Sequence, residues 1–431
     1  MYGTKIQVIF WGLLGLAAAP SPALAWAEHD LVTDRALENP GVSYAQEQVQ
    51  VEPLDTFLAA APAEVAKTFE GYYAWLASTG SDQFKAQTFD ASNPTTASFL
   101  TAARLNPVTW YPLVRGVLPG QQPVWPVVPI AQVSPYMRDR APFSVVYEDA
   151  TGQVMTAREV LTTFADEPDW QMDHVLWGHA EYGYGEQPYG KPEGESSKAP
   201  FHMQFLHEGF FVKSFASFLL RGMTEDRVEL MLRLSRTAFE TGHPYWGYRF
   251  AAWGCHYVQD LAQPYHARAV PGKKGPYYIH FALSPNKERI QTETTQLLAN
   301  KHFLYEDYVA YGLVQSYTAP NASATLLSSF LSSGDLVFSD VDSGTALVEQ
   351  VTRLSSAHAA RIDRTIKKAF PRDMTRDPAY DVETAPDYNI PTAMGRVPER
   401  RGEQLLSQTG MDFESTGTAT RTFIALARRA P

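Results

Sequence analysis

Apolar residues recur at helical spacing along much of the chain. In the stretch Thr224–Thr241, Val228, Met231 and Leu232 share one face, acidic residues stand in the first turn, and Gly242 follows the last turn. Apolar residues three and four positions apart form the stripe of an amphipathic helix, and glycine commonly ends one. The pattern therefore predicts a helix here, with Thr224 as its N-cap.

Similar patterns predict helices elsewhere. Residues 50–105 are helix-like with polar breaks, another helix begins at Pro244, and Ile290–Ala310 forms a further one. An apolar stripe over residues 347–366 predicts a helix, and Thr418–Arg429 predicts a short final helix. We expect a mostly α-helical protein without internal repeats.

Several segments interrupt this helical pattern. Asn106–Pro142 contains eight prolines with aromatic residues between them, which disfavours regular helix. A proline-rich ligand segment is one reading of this composition, but the aromatics favour an irregular insertion packed on the protein surface. We expect short strands at Ser144–Tyr147 and Val154–Thr156, and irregular structure at Val270–Tyr278 and Arg372–Glu403.

The first residues have the pattern of a secretory signal. Lys5 is the basic flank, Val8–Ala19 is the apolar run, and Ala23–Ala25 is a small-x-small cleavage site. The apolar run is too short for a membrane anchor. We therefore expect residues 1–25 to be removed, the mature chain to begin at Trp26, and the protein to be secreted or periplasmic.

The composition is that of a globular protein. Of 431 residues, 45% are hydrophobic and 19% are charged, and the net charge is −11. This composition excludes a disordered chain. An acidic protein gains no general electrostatic attraction to nucleic acid, so no stable nucleic-acid complex is expected. Cys255 is the only cysteine, which excludes an intramolecular disulfide, and we expect it to be buried packing and not a ligand.

The strongest chemical pattern is the stretch Gly254–Arg268, GCHYVQDLAQPYHAR. His256 and Asp260 are four residues apart, so both side chains lie on one face of a helix. Pro264 ends that helix because it lacks an N–H and clashes with the preceding turn, and the bent chain allows His266 to turn back toward the same point. Two imidazoles and a carboxylate that converge suit zinc.

Further histidines and acids can complete such a site. His302 and Glu306 form a second pair four residues apart, and Asp169 lies in a PDW segment whose proline favours presentation from a loop. His202, in the segment APFHM, is another candidate, with His207 as its alternative. Each short pattern is weak alone, but together they predict a metal centre.

In their order along the chain, these residues resemble the bacterial zinc-dependent phospholipase C family and the related fungal single-strand-specific zinc nucleases. The resemblance covers Trp26–His29 and Asp169–Glu306 and is most specific over HYVQDLAQPYH. Both groups are mostly helical enzymes with three zinc ions. The resemblance implies the following ligands: Trp26 (amine and carbonyl oxygen), His29 and Asp260 for one ion; Asp169, His202, His256 and the bridging Asp260 for a second; His266, His302 and Glu306 for a third.

The resemblance and the ligand chemistry predict a phosphodiester hydrolase. Zinc lowers the pKa of bound water, neutralises phosphate charge and stabilises the oxygens that enter and leave phosphorus. We expect a secreted phospholipase C that cleaves phospholipid head groups through metal-activated hydroxide, with transient contact to a membrane surface. Asp169 is a ligand by resemblance and the candidate catalytic residue, because it can also steer the water or accept its proton.

Two alternatives stay open. A single-strand-specific nuclease would use the same ligands, but the nucleases usually carry Asp where this chain has Glu306, and the fungal ones use disulfides. Trp170 and Phe201 flank proposed ligands. Their rings can bind a choline head group, but packing in the protein interior explains them equally well. The second alternative is a non-catalytic binding protein stabilised by zinc, although structural zinc sites usually close their coordination with Cys and His.

The sequence predicts three parts. Residues 1–25 form the signal peptide, residues 26–310 form the zinc-dependent phosphodiesterase domain with an insertion over about 60–160, and residues 311–431 form a helix-rich C-terminal extension. The expected fold is the multi-helix fold of the phospholipase C and nuclease families with these two additions.

Overall fold

The computed structural model describes residues 28–80, 85–135, 146–174, 176–178, 184–189 and 198–429. Most of these residues lie in helices, which confirms the predicted mostly α-helical class. The helices are α1 (His29–Ala36), α2 (Leu54–Ala60), α3 (Pro62–Ser78), α4 (Thr96–Ala103), α5 (Ile130–Val133), α6 (Ala157–Phe164), α7 (Ala199–His202), α8 (Phe210–Phe215), α9 (Thr224–Glu240), α10 (Pro244–Ala262), α11 (Pro264–Ala267), α12 (Gly275–Leu283), α13 (Lys287–Thr318), α14 (Ala322–Ser332), α15 (Gly344–Ala369), α16 (Arg372–Arg376), α17 (Ile390–Gly395) and α18 (Glu399–Ala427). No helix in these ranges has both the length and the apolarity that crossing a bilayer requires.

Short strands form two small antiparallel sheets. The strands are β1 (Gln48–Gln50), β2 (Val114–Val117), β3 (Val127–Val128), β4 (Val146–Asp149) and β5 (Val154–Thr156). β1 pairs with β5, with Val49 opposite Met155, and β4 lies between β2 and β3, with Tyr147 opposite Gly116. The two strands expected around residue 150 are therefore present but belong to different sheets. The described part of the proline-rich segment contributes β2, β3 and α5 and is otherwise irregular.

The centre of the fold is α10, the helix that carries His256 and Asp260. It begins at Pro244, as predicted, and every residue from Tyr245 to Ala262 is buried. Helices α6, α9, α15 and α18 pack around it, which explains why apolar and aromatic residues occur on all its faces. The helix ends before Pro264, which opens the one-turn helix α11, so the predicted break is confirmed.

The helices α10 and α18 approach closely because of one glycine. A Cβ atom added at Gly254 would lie 1.9 Å from Cζ of Phe423. Phe423, Ile424 and Leu426 belong to the same hydrophobic cluster as the buried residues of α9 and α10. The last long helix is therefore an integral part of the main core.

Some predicted boundaries are wrong. α12 covers part of the stretch Val270–Tyr278, which was expected to be a loop, and α18 begins at Glu399 and not near Thr418. Thr224 is the first residue of α9, and no side chain caps that helix. In α18, Gly410 lies against the ring of Phe330, so close tertiary packing outweighs the poor helix propensity of its Gly and Thr residues.

Candidate metal centre

The predicted ligands that the structure describes converge in space. Their ligand atoms form three groups, and within each group these atoms lie within 4.8 Å of one another. The groups are His29 with His256 and Asp260; Asp169 with His202 and His256; and His266 with His302 and Glu306. The remaining predicted ligand, Trp26, lies outside the described residues.

The three groups form one cluster. His256 belongs to two of them, and its Nε2 lies 3.1 Å from Nδ1 of His202 and 3.4 Å from Oδ2 of Asp260. The other oxygen of Asp260 lies 3.6 Å from Nδ1 of His266. Nε2 of His266 lies 3.1 Å from Nε2 of His302. Asp260 therefore stands between the groups, where a bridging ligand belongs.

Local structure explains why these side chains face inward. His302 and Glu306 are one turn apart on α13, and the ring Nε2 of His302 lies 2.7 Å from Oε1 of Glu306. Asp169 was expected on a loop but lies in a short π-helical turn, Pro168–Met172. Proline at the first position of that turn costs no hydrogen bond, because the N–H of a first helical residue has no intrahelical partner.

Two histidine rings are oriented by backbone carbonyls. Nδ1 of His256 donates to the carbonyl oxygen of Ala165 at 2.7 Å, and Nδ1 of His266 donates to the carbonyl oxygen of His202 at 2.8 Å. Both rings are thereby fixed with Nε2 toward the cluster. Metal-binding histidines usually donate their other ring nitrogen in this way.

A glutamine orients His29. Nδ1 of His29 donates to Oε1 of Gln259 at 2.8 Å, and Nε2 of Gln259 donates to Oγ1 of Thr33 at 2.8 Å and of Thr420 at 3.1 Å. The two threonines fix the amide, so its oxygen faces the ring and Nε2 of His29 points into the cluster.

A buried acid stands behind His202. Oδ2 of Asp173 lies 3.3 Å from Nε2 of His202 and accepts a hydrogen bond from the hydroxyl of Tyr257 at 2.7 Å. Its other oxygen pairs with Arg227 at 2.6 Å. Burial alone would raise the pKa of Asp173, but Arg227 and His202 lower it to about 2. This ionised carboxylate holds the His202 ring in place.

Three atoms of the cluster residues are buried without a hydrogen-bond partner: Nε2 of His29, Nε2 of His202 and Oδ1 of Asp260. Nε2 of His202 faces Asp173, whereas Nε2 of His29 and Oδ1 of Asp260 lie 3.7 Å apart inside one ligand group. An unsatisfied buried polar atom costs about 1–3 kcal/mol, so such a pair needs a ligand to account for it. Zinc bonds of about 2.1 Å at a tetrahedral angle separate two ligand atoms by about 3.4 Å. The residues therefore fit a metal ion, and the buried groups could hold one.

Burial and charge set the protonation of the metal-free cluster. Burial lowers the pKa of His29 to about 4 and that of His256 well below its usual value, which keeps both rings in the neutral form that binds metal. Burial raises the pKa of Asp260 to about 8. At His202 burial acts to lower the pKa, but the adjacent Asp260 and Asp173 raise it to about 9. A metal ion would displace the protons held between His202 and Asp260.

Lys198 is paired with the candidate catalytic residue. Its Nζ lies 2.5 Å from Oδ1 of Asp169, and the two side chains are only 5% and 7% exposed. Burial acts to raise the pKa of Asp169, but Lys198 and His202 lower it below its ordinary value. Asp169 is therefore ionised and held in position before any metal binds.

The third group is supported by an aromatic stack. The ring of Tyr265 stacks on His302 at 5.5 Å between centroids. The hydroxyl of Tyr265 donates to Oδ1 of Asp363 at 3.2 Å, and Asp363 is paired with Lys301. This chain of contacts connects α11, α13 and α15 directly behind the His302 ring.

The other histidines that the structure describes, and the flanking aromatics, lie outside the three groups. His207, the alternative to His202, lies 3.1 Å from Oγ1 of Thr352. Cys255 is buried, as predicted, with its Sγ 3.7 Å from the carbonyl oxygen of Thr420. Trp170 and Phe201 are also buried, and Phe201 stacks on another aromatic ring, so they pack the interior and do not present faces to a head group.

Sequence reasoning missed the residues that support the ligands. Gln259 is three residues after His256 and therefore lies near the same helix face. Asp173 and Lys198 each stand four residues from a proposed ligand. This spacing could have indicated all three as candidates for contact with a ligand. Only the structure distinguishes a side chain that supports a ligand from one that is exposed to solvent.

Fold and site together define a mostly helical protein with a buried cluster of histidine and carboxylate ligands able to hold metal. No family model matches the chain, and no curated protein or solved structure matches it. What the site does must therefore be argued from its own chemistry and from the motif resemblance.

Proposed function

We propose that this chain is a zinc-dependent phosphodiester hydrolase that acts as a phospholipase C. One observation carries the proposal: eight candidate ligands lie in three neighbouring groups within one buried cluster. Two of the groups share His256, and the third contacts Asp260 through His266. The eight residues are His29, Asp169, His202, His256, Asp260, His266, His302 and Glu306. Five imidazoles and three carboxylates without a thiolate suit zinc in a catalytic site better than zinc in a structural site.

The chemistry divides between the metal and the chain. Bound zinc would supply Lewis acidity and a water of lowered pKa. Asp260 lies between the groups and would hold two ions at a fixed separation. Asp169, already ionised beside Lys198, would position the attacking water and take up its proton. Lys198 would keep that carboxylate oriented and add positive charge near the phosphate.

Phospholipid is favoured over nucleic acid as the substrate. Glu306 occupies the position where the resembling nucleases usually carry Asp, and the side chain lies beside His302 as a ligand would. The acidic net charge of −11 gives no long-range attraction to a polyanion. A phospholipid presents only one phosphodiester to the site and does not need such attraction.

A substrate panel with the zinc-loaded mature protein tests the proposal. We expect about three zinc ions per chain by elemental analysis, turnover of phospholipid and of bis(4-nitrophenyl) phosphate, and little or no cleavage of single-stranded DNA. His256→Ala should lose both metal and turnover, because its ring belongs to two groups. His207→Ala, outside the groups, is the matched control and should retain both. Active protein without zinc would contradict the proposal, and preferred cleavage of single-stranded DNA would assign the nuclease activity instead.

A further inference from the structure

The helix α12 carries apolar residues on nearly every face but is not buried. Of its nine residues, GPYYIHFAL, only Phe281 is buried. Ile279 is 53% exposed and Leu283 is 80% exposed. A helix that is hydrophobic all round normally lies in a protein core or in a lipid environment, so this exposure requires a partner.

The neighbouring helix α8 also exposes an apolar side chain. On α8, Phe210 is 73% exposed, and its neighbour Phe211 stacks on Tyr278 of α12 at 5.2 Å between centroids with ring planes 7° apart. The stack joins the two helices, so the exposed side chains of Phe210, Ile279 and Leu283 stand on adjacent helices. We call these exposed apolar side chains of α8 and α12 the apolar face.

A groove opens between α8, α12 and α13, on the inner side of the apolar face. Its cavity volume is about 60 Å³, and most of its lining side chains are apolar or aromatic, among them Phe211, Leu219, Val270 and Leu298. Leu298 is one turn before the ligand His302 on α13. A molecule held in the groove would therefore lie close to the third ligand group.

Positive charge surrounds this region of an otherwise acidic protein. Residues 268–289 contain five basic side chains and one acidic one, whereas the whole chain carries 36 basic and 47 acidic residues. Lys273 and Lys274, immediately before α12, and Lys213 on α8 are exposed. Arg268 and Arg289 are paired with Glu208 and Glu293, at 3.7 and 3.8 Å, so the three lysines form the basic rim. An apolar face with a basic rim matches the acyl chains and the anionic head groups of a bilayer.

We propose that the apolar face docks on a bilayer that contains anionic phospholipid and places the metal centre at the lipid surface. The inference rests on the proposed phospholipase function for its purpose, but the docking itself needs neither metal nor turnover. A second copy of the chain is a poorer occupant, because its identical basic rim would oppose this one. Nucleic acid would match the charge but leave Phe210, Ile279 and Leu283 in water.

Vesicle sedimentation tests the docking. Metal-free and zinc-loaded protein should both sediment with phosphatidylcholine vesicles that contain phosphatidylglycerol, and less with pure phosphatidylcholine or at high salt. Ile279→Asp/Leu283→Asp should weaken binding at least about tenfold, because the variant no longer withdraws these two apolar side chains from water. Lys274→Gln should weaken it about fivefold, the effect of one cation near an anionic surface.

A matched control keeps the test specific. Leu326 on α14 is 47% exposed and lies near the far end of α13, so Leu326→Asp should leave vesicle binding unchanged. Circular dichroism confirms that each variant is folded. The docking proposal is overturned if the parent protein does not sediment with vesicles, or if Leu326→Asp weakens vesicle binding as much as Ile279→Asp/Leu283→Asp does. It is also overturned if the double variant loses self-association but keeps vesicle binding.

Turnover of soluble bis(4-nitrophenyl) phosphate separates this inference from the proposed function. The double variant should hydrolyse it at the parental rate and lose only turnover of vesicle lipid. A parent that binds vesicles but never hydrolyses the soluble ester would remove the proposed function and leave the docking. A parent that hydrolyses the ester but does not bind vesicles would remove the docking alone.

Discussion

The ring of Tyr265 lies parallel to the imidazole of His302, with 5.5 Å between centroids and 20° between the ring planes. Tyr265 directly precedes the proposed ligand His266, so a single short helix supplies one candidate ligand and supports another. The third ligand group thus depends on a residue that would not itself bind a metal ion strongly.

Removal of this stack should weaken the third group. An aromatic pair contributes about 0.5–1.5 kcal/mol beyond its buried area, so Tyr265→Leu should lower metal affinity there about two- to tenfold. Tyr265→Phe keeps the stack, loses only the bond to Asp363, and should bind metal nearly as the parent does. Zinc content after dialysis against graded chelator measures the difference. Equal losses in both variants would show that the hydroxyl, not the ring, matters.

A methyl group at position 254 should destabilise the whole protein. Gly254→Ala would overlap the Phe423 ring, and overpacking of this kind typically costs about 1–3 kcal/mol. Gly402→Ala, in α18, meets only an ordinary contact at 3.8 Å and should be neutral or stabilising by up to about 1 kcal/mol. Denaturant unfolding compares the two. A Gly254→Ala protein as stable as the parent would mean that the helices can separate at no cost.

Asp169→Asn should separate catalysis from metal binding. The amide keeps the size and one oxygen but cannot accept the water's proton, so turnover should fall by roughly 10²–10⁴-fold. Most of the zinc should remain, because His202, His256 and Asp260 are unchanged. Zinc content and hydrolysis rate are measured together, with the exposed Asp149→Asn as control. Near-parental turnover would exclude a catalytic role, and parallel loss of zinc would leave Asp169 as a ligand only.

Metal affinity should rise with pH. Nδ1 of His202 lies 2.7 Å from Oδ2 of Asp260, and the pKa of each group is raised. At pH 7 the metal-free pair therefore holds at least one proton that a metal ion must displace. Lower pH strengthens this competition, and apparent affinity should fall about tenfold per unit for each displaced proton. Competition with a chelator of known affinity at pH 6, 7 and 8 measures the slope. Affinity independent of pH would mean that these two groups do not bind the ion.

The sequence predicted helices best where local pattern and tertiary packing agree. α9 has an apolar stripe and an acidic first turn, α10 has a proline at its start and another just after its end, and both helices lie where expected. α18 begins well before the position expected, because its glycines and threonines disfavour a helix in the local pattern. The helix forms because Gly410 and Gly417 allow the ring of Phe330 and the carbonyl of Leu331 to approach it closely. Such approach between distant segments has no signature in the local pattern.

The candidate site was predictable to the extent that its ligands are paired along helices. The i, i+4 spacing indicated His256 with Asp260 and His302 with Glu306, and the structure places both pairs in the cluster. The supporting residues Gln259 and Lys198 were not found, because their roles depend on which distant side chain each one meets. Gln259, for example, contacts a histidine 230 positions earlier.

That separation has a consequence for how the protein would acquire a metal ion. His29 must contact Gln259, which lies on α10, 230 residues further along the chain. Phe423, near the end of the chain, must pack against Gly254 of the same helix. Contacts of such long range are costly to form early and make folding slow. The half-assembled chain would hold its histidines far apart, unable to retain an ion. Metal loading should therefore be the last event of maturation, and zinc uptake should follow the kinetics of tertiary folding and not those of helix formation.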